Sequence, residues 1–142
     1  NNYQPMTPLE TAQYMLNQDY FSQWLGIKII DVQEKYCLLE MPIRKEMING
    51  LKTVHGGVTF SFADTALAFS SNNTGDASVA LNCNINFTKA AKEGDILTAT
   101  TTKISDTRKT GIYDINITNQ HQELIASFRG TVYKIERKLT DL

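Results

Sequence analysis

The feature that most constrains the fold of this 142-residue chain is an apolar run that opens with two glycines and holds one carboxylate. The run is Val54-His55-Gly56-Gly57-Val58-Thr59-Phe60-Ser61-Phe62-Ala63-Asp64-Thr65-Ala66-Leu67-Ala68-Phe69. A helix that is hydrophobic on nearly every side is normally buried. An ionised carboxylate inside such a helix costs free energy unless something binds it or uses it. Asp64 is therefore expected to be buried and to have a function.

The residues around this run predict a chain that mixes helices with antiparallel strands. Thr7 and Pro8 precede apolar residues spaced as in an amphipathic helix, and Gly26 ends a second helical piece at 20–25. The central helix is expected over 56–72, and strands over 27–32, 36–43, 78–88, 95–105, 111–119 and 123–135. The pattern predicts one α+β domain over 1–142, with an amino-terminal helical segment at 1–25 and a core at 26–142.

The order of several sequence blocks resembles one known family. His55-Gly56-Gly57, with a carboxylate nine residues after the histidine, resembles the hotdog-fold thioesterases, and most closely the phenylacetic acid degradation thioesterase (PaaI) family. The other blocks are Met47-Ile48-Asn49-Gly50, Ser71-Asn72, Lys109-Thr110-Gly111-Ile112-Tyr113-Asp114-Ile115 and Phe128-Arg129-Gly130. The resemblance implies a hotdog fold, in which an antiparallel sheet wraps around a central helix. It also implies a homodimer or homotetramer.

The resemblance assigns roles to four residues of the site. Asp64 would be the general base that activates water, or the nucleophile that attacks the thioester; the sequence does not separate the two. Gly56 matches the position whose backbone N–H stabilises the oxyanion, because the first N–H groups of a helix lack partners. Asn49 would reach the carbonyl or the water, although Asn-Gly is also a common turn dipeptide. His55 would polarise the carbonyl or hold the loop.

One helix cannot easily present both main groups to the same thioester. Gly56 and Asp64 are eight residues apart, which is about 12 Å along a helix. A base must come within about 3 Å of the atom that it deprotonates. In addition, a single sheet covers only one side of an apolar helix. The sequence therefore predicts a site between two subunits, where antiparallel helices bring one helix start beside the middle of the other.

A substrate-binding surface is expected from Gly57, Phe60, Thr65 and Asn84. Asn84 belongs to a strand that runs along the pantetheine arm in the family, although its asparagines could equally form a solvated sheet face. Leu81, Cys83, Ile85 and Phe87 would form the opposite, buried face of that strand.

One position departs from part of the family. Some hotdog thioesterases carry a hydroxyl one turn after the carboxylate to orient water, and here that position is Ala68. The nearest hydroxyls along the helix belong to Ser61 and Thr65.

Composition argues against several other classes of protein. The net charge is −1, and no run of Lys or Arg exceeds two residues, so no nucleic-acid partner is expected. The long apolar stretch is too short to span a bilayer, and the first residues lack a signal-peptide pattern, so a cytoplasmic protein without a membrane partner is expected. Two cysteines without C-x-x-C spacing argue against a metal site. No cofactor is expected beyond coenzyme A as part of the substrate.

The sequence thus predicts hydrolysis of an acyl-CoA, such as phenylacetyl-CoA or a related aryl-acetyl-CoA, to the free acid and CoA. Candidates for contacts to the CoA phosphates are Lys89, Lys92, Arg108 and Lys109. One alternative is a hotdog dehydratase or hydratase acting on acyl-CoA or acyl-carrier protein, although no H-F-x-x-x-P-type segment occurs. The other alternative is a non-catalytic acyl-CoA-binding module. Such a module would not explain why Asp64 accompanies a helix that starts with two glycines.

Overall fold

The structure, a computed structural model, describes residues 5–142. Its helices are α1 (Pro8–Gln18), α2 (Tyr20–Leu25) and α3 (Gly56–Ser71), and its strands are β1 (Lys28–Gln33), β2 (Tyr36–Pro42), β3 (Asp76–Phe87), β4 (Ile96–Asp106), β5 (Thr110–Thr118) and β6 (Leu124–Lys138). Short 3-10 turns occupy Lys45–Met47 and Leu139–Asp141. These bounds differ from the sequence predictions by at most three residues.

The amino-terminal helices begin and end where local chemistry requires. The Thr7 side chain accepts the Glu10 N–H, and the Glu10 carboxylate accepts the Thr7 N–H, so the two form a capping box at the start of α1. Gly26 ends α2 with φ of 78°, a left-handed conformation that favours glycine. Both helix predictions are confirmed.

The six strands form one antiparallel sheet in the order β1-β2-β4-β5-β6-β3. Because the chain passes from β2 to the far edge strand β3, the helix that joins them must cross one face of the sheet. Accordingly, α3 contacts every strand from β2 to β6. This is the α+β hotdog architecture that the sequence predicts.

One stripe of α3 supplies the core on that face. Phe62, Ala66 and Phe69, spaced by three or four residues, are fully buried against the sheet. The helix lies close to β6 because Gly130 has no side chain: a Cβ there would stand 2.5 Å from a methyl of Leu67. Thus the sheet of this chain covers one side of α3.

The two edges of the sheet differ in how well they are protected. The edge strand β1 is short, carries Lys28 and Asp31, has a bulge, and packs against α1. These are common devices against edge-to-edge pairing. The other edge strand, β3, is twelve residues long and has no charged residue after Asp76. It exposes Val79 and Leu81 in the isolated chain.

The prediction of a continuous buried face on β3 is wrong for two residues. Cys83 and Ile85 pack against the core as predicted, but Leu81 and Phe87 are 61% and 56% exposed. Leu81 is the extra residue of a bulge in the register with β6, which interrupts the alternation of faces. Phe87 ends the strand, and its ring lies over the start of α3.

Candidate active site

The start of α3 is capped by a histidine side chain. His55 occupies the N-cap position, and its Nδ1 accepts the Gly57 N–H at 2.8 Å. Since Nδ1 is an acceptor, the proton of the neutral ring lies on Nε2. A Cβ at Gly57 would stand 3.0 Å from that same Nδ1, so glycine leaves room for the cap. The Gly57 N–H is therefore already used within the chain.

This cap leaves the preceding N–H group available. Within residues 5–142, no protein acceptor takes the Gly56 N–H. Gly56 opens onto a cavity of about 410 Å³, together with Phe87 and Lys89. A Cβ at Gly56 would stand 3.1 Å from the Phe87 ring. The geometry thus offers a positively polarised backbone donor at a helix start, on a residue that lines this cavity.

Asn49 organises the loop that leads to this helix start. Its Oδ1 accepts the N–H groups of Leu51 and Thr53, at 2.9 and 3.2 Å. The N–H of His55 in turn donates to the Met47 carbonyl at 2.8 Å, which anchors the end of the loop. In the isolated chain, the Asn49 carboxamide oxygen thus holds a turn.

Asp64 lies on the side of α3 that the sheet does not cover. The prediction that it is buried is wrong for the isolated chain, in which its side chain is exposed. It shares a helical stripe with Gly57, Ser61 and Ala68, whereas the large apolar residues of the helix face the sheet. Nearby protein still removes part of its hydration, and this desolvation, followed by the charge of Asp19, raises the pKa of the Asp64 carboxyl.

Gly56 and Asp64 line separate cavities in one chain. Asp64, Ala68 and Val79 border a groove of about 210 Å³ between α3 and β3, which does not include Gly56. The eight-residue spacing again corresponds to about 12 Å along the helix. One chain therefore carries a carboxylate half-site and a backbone-donor half-site, and these do not meet.

The other predicted residues are placed in different ways. Phe60 is half-buried and makes an edge-to-face contact with Phe128, with ring centroids 5.6 Å apart. Asn84 is exposed on β3, and its amide donates to the Asn82 side chain at 2.9 Å. Thr65 is buried, and its hydroxyl lies 2.9 Å from the Ser22 hydroxyl rather than on the free stripe.

The two hydroxyls nearest to Asp64 along the helix are engaged elsewhere. The Ser61 hydroxyl donates to the Gly57 carbonyl at 2.7 Å, and that of Thr65 pairs with Ser22. On the β3 side lies Cys83, whose thiol pKa is raised by desolvation and then by the Asp64 charge. The sequence did not predict the proximity of Asp19 and Cys83 to Asp64, because both come from distant parts of the chain.

The described residues lack both a metal-binding cluster and a membrane-spanning helix. Within residues 5–142, no group of three or more His, Cys, Asp or Glu side chains is placed to hold a metal ion. No helix in that range is long and apolar enough to cross a membrane.

Comparison with known proteins identifies the class to which this fold and helix start belong. The sequence model of the thioesterase superfamily matches residues 51–126, and the chain belongs to this superfamily. It is 40% identical to the acyl-coenzyme A thioesterase PaaI of Escherichia coli over 131 residues, which cover 92% of this chain and 94% of that protein. A putative esterase of Archaeoglobus fulgidus is 36% identical, with 86% and 79% covered.

Solved structures agree with the sequence comparison. The E. coli PaaI protein from the phenylacetic acid degradation operon superposes with a TM-score of 0.90 at 39% identity, covering 92% of this chain and 95% of that one. A mutant of the phenylacetic acid degradation protein PaaI from Thermus thermophilus superposes with a TM-score of 0.79 at 27% identity, covering 82% and 100%. The predicted hotdog fold and resemblance to PaaI are confirmed.

Proposed function

We propose that this protein is an acyl-CoA thioesterase acting on an aryl-acetyl-CoA such as phenylacetyl-CoA, with Asp64 and the Gly56 N–H as its catalytic groups. The activity is supported by membership of the thioesterase superfamily and by 40% identity to an acyl-coenzyme A thioesterase. The aryl-acetyl class is supported by the phenylacetic acid degradation operon from which that relative comes. The observation that carries the site is the pair of half-sites on α3, one with a free N–H and one with an exposed carboxylate.

A second copy of the chain would join the half-sites. The long edge of β3, which carries no charged residue after Asp76, offers unpaired backbone groups, and antiparallel pairing with its own copy would satisfy them. The free stripe of α3, where Gly57, Ser61 and Ala68 are small, would then face the same stripe of the partner. The two-fold axis of this pairing is perpendicular to the sheet and therefore to α3, which makes the two helices antiparallel, so Asp64 of each chain would approach the helix start of the other.

The chemistry follows from these two groups. As a base, the Asp64 carboxylate takes a proton from water, and the water oxygen attacks the carbonyl carbon of the thioester. The carbonyl oxygen becomes an oxyanion, which the Gly56 N–H stabilises by a hydrogen bond and by the positive end of the helix dipole. The C–S bond then breaks, and the CoA sulfur leaves and takes up the proton. As a nucleophile, Asp64 would attack the same carbon and expel the CoA thiolate as the C–S bond breaks, which forms an anhydride; water then hydrolyses the anhydride to the free acid and regenerates the Asp64 carboxylate.

Several finer expectations rest on the same proposal. Asn49 holds the loop before the Gly56 half-site and His55 caps the helix start, and both remain predicted to orient the carbonyl or the water. Gly57, Phe60, Thr65 and Asn84 remain predicted to contribute to substrate binding. Lys89 lines the Gly56 cavity, so it is the basic residue that we expect to meet a CoA phosphate, in exchange for its ion pair with Glu123. A cytoplasmic homotetramer remains a prediction.

Product analysis distinguishes this function from its alternatives. With phenylacetyl-CoA and a thiol-reactive dye, we expect one free CoA for each molecule of phenylacetate formed. A panel of aliphatic acyl-CoA thioesters should give lower kcat/KM. A dehydratase or hydratase would change the acyl chain and release no thiol, and a binding module would consume no substrate. Either of those two outcomes would contradict the proposed function.

The unpaired edge of β3 predicts that the protein associates with its own copy. Because β3 exposes apolar side chains along an unpaired edge, the protein should sediment as at least a dimer at micromolar concentration. Leu81→Lys should shift it towards monomer and lower the activity in parallel, since a charge there opposes edge pairing. Ile30→Lys is the matched control, because Ile30 is 52% exposed on the opposite edge strand. A wild-type monomer, or equal dissociation by both variants, would contradict pairing through β3.

A further inference from the structure

A chain of hydrogen bonds connects the α1–α2 junction to the helix that carries Asp64. Asp19 caps the end of α1 and the start of α2. One of its carboxylate oxygens accepts the Ser22 N–H at 2.9 Å, and the other accepts the Ser22 hydroxyl at 2.5 Å. Ser22 is completely buried, so its polar atoms depend on these partners.

The chemistry of the partners fixes the direction of this chain. The Ser22 oxygen lies 2.9 Å from the Thr65 hydroxyl, in a buried contact. A hydroxyl has one proton, and that of Ser22 goes to the Asp19 carboxylate, which can only accept. The Thr65 hydroxyl must therefore donate to Ser22. The chain runs from Thr65 through Ser22 to Asp19, and Thr65 directly follows Asp64 in α3.

This arrangement has a mechanical and an electrostatic consequence for Asp64. The buried contact ties the rotation of α3 at Thr65 to α2, and the rotation of the helix sets the direction in which Asp64 projects. It also places a second negative charge near Asp64, and a like charge disfavours ionisation. Within residues 5–142, Asp19 is the charged group whose field raises the Asp64 pKa, after desolvation.

Among the described residues, Asp19 is the charged side chain that raises the Asp64 pKa, and the other groups near Asp64 act differently. Cys83 faces it from β3, but burial and the Asp64 charge raise the pKa of this thiol and so favour its neutral form. In the proposed dimer, the start of the partner's α3 would also face Asp64, and its positive dipole would favour the ionised carboxylate. The charge of Asp19 acts in the opposite direction, because it raises the Asp64 pKa.

We propose that Asp19 is a positioning residue for the catalytic carboxylate, which it holds through the Ser22 and Thr65 hydroxyls while placing a second negative charge beside it. This inference rests on the proposed catalytic role of Asp64. It gives the helical segment before the hotdog core a function in catalysis, beyond covering α3 and β1.

The electrostatic part is tested by the pH dependence of kcat/KM for Asp19→Asn. Asparagine retains an oxygen that can cap α2 but lacks the charge. Without that charge, Asp64 ionises more easily, so the acid limb of the profile should move to lower pH. Asp31→Asn is the control: it removes one negative charge from β1, and Asp31 does not act on the Asp64 carboxyl. Its acid limb should coincide with that of the wild type.

The mechanical part is tested by Ser22→Ala. This variant breaks the hydrogen-bond chain but keeps the Asp19 charge, so kcat should fall on the order of tenfold at unchanged KM, with an unmoved acid limb. Ser70→Ala is the matched control, because Ser70 is also a completely buried serine, it lies on α3 itself, and its hydroxyl bonds to Thr101. A merely structural role predicts equal effects of both variants on stability and on kcat.

The outcomes separate this inference from the proposed function. If Asp64→Asn is inactive, but Asp19→Asn keeps the wild-type acid limb and Ser22→Ala behaves like Ser70→Ala, the positioning role is wrong and the catalytic role stands. If Asp64→Asn is active, the proposed function fails and this inference fails with it. An acid limb that moves for Asp19→Asn, combined with a loss of kcat that is larger for Ser22→Ala than for Ser70→Ala, supports the proposal.

Discussion

Replacing Asp64 with asparagine should lower kcat at least about a hundredfold, the usual scale for the loss of a positioned acid or base. Asparagine has nearly the same shape, but it can neither take a proton from water nor attack a thioester at a useful rate. The measurement is the steady-state release of CoA from phenylacetyl-CoA by the purified variant. Wild-type turnover in the variant would remove Asp64 from the mechanism.

The same substitution should not destabilise the fold. Folding raises the pKa of this carboxyl, so the folded chain disfavours its ionised form. Above that raised pKa, the ionised Asp64 costs stability; the cost declines as the pH falls through the raised pKa and is gone below the pKa of the unfolded chain. A neutral asparagine avoids the cost, so the thermal midpoint at neutral pH should equal or exceed that of the wild type. If the variant is inactive while its thermal midpoint is unchanged or higher, the loss of activity comes from the missing carboxylate and not from unfolding.

The raised pKa also predicts the acid side of the wild-type pH profile. The base must be ionised, and Asp64 becomes protonated at a higher pH than an ordinary aspartate does. As the pH falls, kcat/KM should therefore decline earlier than for a base with an unperturbed carboxyl.

Replacing Gly56 with proline should lower kcat about 10²- to 10³-fold, the cost of losing one oxyanion donor. Proline removes the N–H, and it suits the first position of a helix. The preceding His55 has ψ of 133°, the extended conformation that proline requires before it. Gly56→Ala is the control, because it retains the N–H and adds only a Cβ near the Phe87 ring. Equal losses in the two variants would show that crowding of this ring, rather than the missing donor, is responsible.

The sequence predicts the elements of this fold well because their signals are local. Alternation of apolar residues marks the strands, and Gly56-Gly57 before an apolar run marks the start of α3. The exposure of Asp64 could not be predicted, since it depends on which side of α3 faces the sheet. The prediction of a buried Leu81 is wrong because a bulge depends on the register with β6, a strand distant in sequence.

The candidate site also combines features that the sequence predicts with features that only the folded chain reveals. Gly56 and Asp64 could be proposed from the motif alone, but the motif does not reveal which backbone N–H is free. The structure distinguishes the two glycines, because His55 Nδ1 takes the Gly57 N–H. The contact between Ser22 and Thr65 joins residues 43 positions apart, and no local sequence pattern predicts it.

We propose that each active site combines Asp64 of one chain with Gly56 of another. The most direct test is to co-express Asp64→Asn and Gly56→Pro chains with different tags and to purify the heterodimer, with circular dichroism to confirm its fold. Each mutant homodimer should be nearly inactive. In the heterodimer, one site receives both defects and the other receives none, so roughly half of the wild-type activity per dimer should return. If both groups of a site came from one chain, every site would keep one defect, and a folded heterodimer that remains inactive would contradict the shared site.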